Sequence, residues 1–337
     1  MTKRKSTIIS ICLFIVIFSA LLVTATFTDL QVSQFLTQFS LPKGQYYAND
    51  TFGRAFEAVG CAPIYLMIAF ALQIVFWNCV KFLKDKFFRI AASGLSAFLA
   101  TLSYYIMFND IARYYLEQIG EKKYAGQPFI TLGSAVIACI MCFFATLAVR
   151  NFKDETIKKL LPFAIAVLLM AAISNGFVNL IKIPVGRPRY RGMNTESAKL
   201  IGGFANYKRW YVFNGQPDKN YMQWYYGSTD ACKSFPSGHT CSAGMSYGLI
   251  MLIDALGIKA KWKKITLWVC PIVYTGIVAV SRIMVGAHFF SDVLIGGTVA
   301  FLTMLLMREI FICRFSHFKK KEKVAVKASK KKAKAKK

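Results

Sequence analysis

The stretch SRIMVGAHFFSDVL, residues 281–294, sets a Ser-Arg pair, a His and an Asp at fixed offsets in a run otherwise as apolar as lipid. His288 and Asp292 are four residues apart. On a helix that spacing puts both side chains on one face, where the carboxylate can accept from an imidazole N–H. Ionisable groups at bilayer depth are expensive and read as functional. Two further polar stretches accompany this one: KIPVGRPRY, 182–190, and FPSGHT, 235–240. Lys182, Arg187, Arg189 and Arg282 supply positive charge, and guanidinium groups offer forked donors suited to phosphate oxygens. Ser237 and Gly238 fall at an expected helix start, where free backbone N–H groups favour an anion and Gly permits close approach. The residue types fit nucleophilic phosphoryl transfer. A neutral imidazole attacks phosphorus, with Asp292 to fix the tautomer of His288 and stabilise its cation, and His239 to protonate the leaving oxygen. Arg and Lys stabilise the equatorial oxygens.

These residues need a scaffold, and the composition says which. The chain has 337 residues, 55% hydrophobic, with 29 Phe and only 18% charged, too apolar for an ordinary soluble domain. Apolar runs able to cross about 30 Å of hydrocarbon occur at 6–27, 58–80, 90–109, 124–149 and 160–181, with weaker ones at 238–258, 265–281 and 288–307. The expected fold is therefore all-α, a polytopic membrane bundle of about eight helices. Basic short loops at 3–5, 81–89, 150–159 and 259–264 alternate with less basic ones, which by the positive-inside rule puts both termini in the cytoplasm. The long segment 182–237 then lies outside, and the three polar stretches share that outer surface. The first span reads as an uncleaved anchor, because its 22 uncharged residues exceed a signal-peptide core and no small-x-small cleavage site follows.

The formal charge of +27 does not by itself indicate nucleic acid, and no nucleic-acid partner is expected. Much of it sits in the tail KKKEKVAVKASKKKAKAKK, a solvated segment attracted to anionic lipid headgroups. The nine cysteines show no metal-ligand spacing, and a bridge between Cys232 and Cys241 is left open. The aromatic-rich loop between the first two polar stretches is expected to cover the site and help select a headgroup.

Written as patterns, the three stretches are K-x6-R, P-S-G-H and S-R-x5-H-x3-D. Together they resemble the three-part signature of the type 2 phosphatidic acid phosphatase family, relatives of vanadium haloperoxidases and bacterial acid phosphatases. The resemblance implies that His288 is the nucleophile forming a phosphohistidine, Asp292 its orienting partner and His239 the general acid. It places Lys182, Arg189, Ser237, Gly238 and Arg282 around the phosphate. Two departures stand out. The first motif of the family ends in Arg-Pro, whereas keeping the Lys-x6-Arg spacing selects Arg189 followed by Tyr190, leaving Arg187-Pro188 as supporting cation. The family's membrane members have two spans before the first-motif helix, and this chain has four.

The organisation expected is an N-terminal set of helices over 1–159, a phosphatase core over 160–307 with its outer loop 182–237, and a polybasic cytoplasmic tail over 308–337. The expected activity is hydrolysis of a phospholipid or polyprenyl phosphate monoester or diphosphate at the outer face of a bacterial-type inner membrane, with no metal and no cofactor. A phosphotransferase using the same histidine and a non-enzymatic lipid transporter or scaffold are the alternatives.

Overall fold

A computed structural model describes residues 3–314; the lysine-rich tail from 315 on, including His317 and its expected lipid contacts, lies outside the described residues. The described chain is helical: α1 Lys3–Thr37, α2 Thr51–Val59, α3 Ala62–Phe82, α4 Lys86–Gln118, α5 Pro128–Arg150 and α6 Asp154–Val185. The outer segment holds the short helices α7 Tyr190–Met193, α8 Glu196–Lys199 and α9 Lys219–Tyr226. The chain then forms α10 Gly238–Ala243, α11 Leu252–Ala255, α12 Lys261–Met284 and α13 Phe290–Met307. Among the described residues, seven helices are long and apolar enough to cross a membrane. The eighth expected crossing is a composite: α10 passes into a 3-10 run, Gly244–Met251, and then into α11. Tighter winding stretches a chain. At about 2.0 Å per residue in the 3-10 part and about 1.5 Å in the rest, 238–255 reaches about 30 Å.

Local sequence sets the helix ends. Asp50 caps α2 by accepting from Phe52 N and Gly53 N, and Asp85 caps α4 by accepting from Phe88 N. Gly186 ends α6 in the left-handed region at φ 55°, and a Cβ there would lie 1.9 Å from the Gly215 carbonyl oxygen, so only glycine fits.

Helices in lipid associate through close packing more than through the hydrophobic effect, and small residues permit it. The main core joins α3, α6, the broken helix and α13 through Met67, Ala71, Phe163, Ala164, Val167, Met245 and Ala300. A second cluster joins α3 to α4 and α5 through Ala69, Ala100 and Ala138. The packing does not part at the expected boundary near 159: α6 runs unbroken through it, and α3 shares the core of the later helices. The outer segment has its own small core of Tyr190, Met193, Met222, Tyr226 and Phe289, with Leu41 from the loop after α1.

Candidate active site

The segment after α6 is pinned by alternate backbone hydrogen bonds. Arg187 O accepts from Ser234 N at 3.0 Å, Arg189 N donates to Ala231 O at 2.7 Å, and Arg191 N donates to Gly286 O at 2.8 Å. This ties the first polar stretch to the second and third. Ser237 N in turn donates to Asp292 O at 3.0 Å, and a Cβ on Gly296 would lie 2.4 Å from Ser237 O, so glycine lets α13 press against the second stretch.

The three arginines of that segment have different fates. Arg187 is fully buried and fully engaged: Nη1 donates to Asp292 Oδ1 at 2.5 Å and Ser291 Oγ at 2.8 Å, Nη2 to Asp29 Oδ2 at 2.9 Å, and Nε to Lys208 O at 2.8 Å. Its guanidinium also sits 4.1 Å from the ring centre of Phe289. Arg189 and Arg191 instead line a polar cavity of about 260 Å³, together with Arg282, His239, Glu57 and Tyr114. Among the described residues, Arg189 Nε, Arg191 Nε, Arg282 Nε and Nη1, and His239 Nε2 have no hydrogen-bond partner. Buried donors are normally satisfied, so this convergence describes an anion's place. The Lys182 ammonium approaches the same region, 3.1 Å from where a Gly238 Cβ would stand.

His288 is 1% exposed, and its Nδ1 lies 2.6 Å from the Ser234 carbonyl oxygen. A carbonyl only accepts, so Nδ1 carries the proton and Nε2 presents its lone pair. The expected direct bond to Asp292 is not made: its Oδ2 is 3.8 Å from Nδ1. The four-residue spacing was read as helical from 288, but α13 begins at Phe290. Asp292 therefore occupies the third position of the helix and reaches back to Phe289 N at 2.8 Å. The same oxygen accepts from Ser234 Oγ at 2.5 Å. Asp292 thus holds the residue whose carbonyl holds His288. Ser237 also differs from its expected part: its Oγ lies 3.0 Å from Thr240 Oγ1 and accepts from Thr240 N, capping α10.

Of the groups expected from sequence, Arg189, Arg282 and His239 line the polar cavity, whereas His288, Asp292, Lys182, Ser237 and Gly238 are not among the residues that line it. Residues 163–314 match the model of the PAP2 superfamily. Over 77 residues the chain is also 34% identical to the phosphatidylglycerophosphatase B of Bacillus subtilis (strain 168), an alignment covering 22% of this chain and 37% of that relative. The chain thus spans little more than a third of the length of that curated relative. No solved structure matches.

The matched segment carries all nine site residues read from sequence, but sequence reasoning missed partners that precede it and others inside it. Asp29, from α1, accepts from Arg187, Ser291 N at 2.8 Å and Ser291 Oγ at 2.5 Å. Glu57, from α2, accepts from Arg191 and Arg282. Tyr114, from α4, packs edge-on to His239 with ring centres 5.3 Å apart. The only signal was a lone carboxylate beside each of the first two apolar runs. Arg191 and Ser234 lie one residue outside the first and second motif stretches, with no pattern to mark them. Part of the outer loop does cover the site: Tyr207 packs on Phe289, and Trp210 stacks on Phe235 while donating to Thr26 Oγ1 at 2.9 Å.

Burial, followed by the charges of Arg189, Arg282 and Lys182, pushes the pKa of His288 well below its ordinary value. A nucleophilic His288 must be neutral, so activity that depended on it would be present above its pKa and lost as pH falls through it. The acid limb of kcat/KM is expected below the ordinary histidine pKa of about 6.5. A pH profile of kcat/KM checks this, and an acid limb above 6.5 contradicts it.

Proposed function

We propose that this protein is a membrane lipid phosphatase that hydrolyses a terminal phosphate monoester or diphosphate through a phosphohistidine. His288 Nε2 attacks phosphorus, and the P–N bond forms as the bond to the lipid oxygen breaks. His239 gives that oxygen its proton. Water then attacks the phosphohistidine and returns a proton to His239, releasing inorganic phosphate and restoring the neutral nucleophile. Arg189, Arg282 and Lys182 hold the oxygens of the transferring group, and the strength of such contacts grows with charge in the transition state.

The observation that carries this reading is the cavity itself, in which unpartnered donors from Arg189, Arg191, Arg282 and His239 surround a space of about 260 Å³. A lipid is favoured by a second, almost wholly apolar cavity of about 600 Å³ lined by Ala62, Leu66 and Phe70 of α3, Leu249 of the 3-10 run that follows α10, and Pro271 of α12, the helix that carries Arg282. The name of the bacterial relative puts phosphatidylglycerol phosphate first among substrates, ahead of phosphatidic acid, undecaprenyl diphosphate and lipid A phosphates. Phosphate release from a panel of these lipids, presented to the purified protein in micelles, tests the reading. Release from at least one is expected; release from none overturns it.

The site is proposed to face the outside of a bacterial inner membrane, with both termini in the cytoplasm. A cysteine placed at the exposed Leu200 should react with an impermeant thiol reagent on intact spheroplasts, whereas one at Lys263 should react only after lysis. The opposite pattern would turn the topology over.

A further inference from the structure

Glu57 lies in α2, more than a hundred residues before the matched segment, yet it lines the cationic cavity, with Glu117 and Asp230, and pairs with two of its arginines. Its Oε1 accepts from Arg191 Nη1 at 3.0 Å and from Arg282 Nη2 at 2.9 Å. Its Oε2 accepts from Nε2 of Gln118, the last residue of α4, at 3.2 Å. All three charged groups are buried, with Glu57 5%, Arg191 7% and Arg282 1% exposed. One carboxylate therefore faces two guanidinium groups. It fixes both without cancelling both, and one unit of positive charge remains beside the unpaired donors of Arg191 and Arg282. Resting on the proposed phosphate chemistry, we propose that Glu57 is a positioning residue that sets Arg282 and Arg191 as a two-arginine clamp, so that the N-terminal helices complete the phosphate site.

The alternative role for a buried carboxylate is charge balance alone, and the two roles separate by variant. Charge balance would survive Glu57→Asp, which keeps the charge; positioning would not, because the shorter side chain withdraws from both arginines. Glu57→Gln keeps the shape and loses the charge. Both variants, and wild type, are taken in detergent micelles through thermal unfolding, inorganic phosphate binding by calorimetry, and kcat and KM on the lipid substrate. The expected result is folded protein whose phosphate Kd rises about 30-fold or more in both variants, since loss of one partner loosens a buried charge-assisted contact. KM on the lipid should rise with it. Phosphate binding within twofold of wild type in either folded variant overturns the proposal. Should the single variants not fold, Gln118→Leu, which withdraws the third donor from Glu57 and leaves both arginines in place, carries the same comparison. If wild type binds phosphate and the variants do not, but no lipid is hydrolysed, the lipid phosphatase reading falls and the clamp stands.

Discussion

His288→Ala should reduce phosphate release from the preferred lipid by at least about 10³-fold, because removing a nucleophile removes the intermediate through which the reaction passes. The geometry makes the effect specific. Nδ1 donates to the Ser234 carbonyl, so the ring has one orientation and one tautomer, and only Nε2 is left for phosphorus. No neighbouring group replaces it: His239 lies on α10, and in the proposed reaction it must give a proton to the leaving oxygen. The structural penalty is smaller. One carbonyl loses a donor and a small cavity opens, which costs about 1 to 3 kcal/mol. His288→Asn, which keeps an N–H donor, limits even that. Incubation with a lipid labelled in its terminal phosphate, followed by an alkaline quench, should leave label on wild type, where phosphohistidine survives, and none on either variant. Retention of more than a few per cent of turnover by folded His288→Ala would remove His288 from the nucleophilic role. Label on His288→Ala would assign the covalent bond to another residue.

How far the sequence reached is clearest from residues that behaved differently from their neighbours. His288, His239, Arg189 and Arg282 were legible because apolar runs make every polar residue conspicuous and the motif spacings are fixed. The spans were legible for the same reason, 238–258 among them as a weaker run, but the 3-10 stretch that breaks it between two α segments leaves no periodic trace. Asp292 shows a local inference failing. Four residues of separation mean one helical face only if the helix includes both, and α13 starts between them. Glu57 and Asp29 were illegible because their importance is wholly tertiary. Each is an isolated carboxylate near the end of an early apolar run, and nothing in its surroundings says which arginine it will meet, more than a hundred residues later. These two contacts also explain why the early helices cannot be treated as a separate unit: α1 supports Arg187 and α2 supports Arg282.

Arg187 and Arg189, two residues apart, should fail in opposite ways. Arg189 makes its anchoring bond through the backbone, to Ala231 O, and its side-chain Nε is unpartnered in the cavity. Truncation leaves that backbone bond in place, and Arg189→Ala should unfold within about 1 kcal/mol of wild type. What it would remove, in the proposed reaction, is a charge-assisted contact to the transferring phosphoryl group. Its kcat/KM should fall by about 30-fold to 1000-fold, the equivalent of about 2 to 4 kcal/mol. Arg189→Lys should recover only part, because an ammonium cannot present the planar fork. Arg187 has no donor to spare for substrate. Its guanidinium is shared among Asp29, Asp292, Ser291 and the Lys208 carbonyl, and its removal strands two buried carboxylates. Breaking such a network from one side costs about 3 to 5 kcal/mol, so Arg187→Ala should show a large drop in Tm and in folded yield. Whatever folds should lose less kcat/KM than Arg189→Ala, since the cavity donors are still present. Measuring Tm and kcat/KM for both variants on one lipid decides the matter. A stable Arg187→Ala with the greater loss of kcat/KM would mean that the Arg-Pro register holds the phosphate. Arg189 would then be the supporting cation, and the extended Lys-x6-Arg spacing would have no catalytic meaning in this chain.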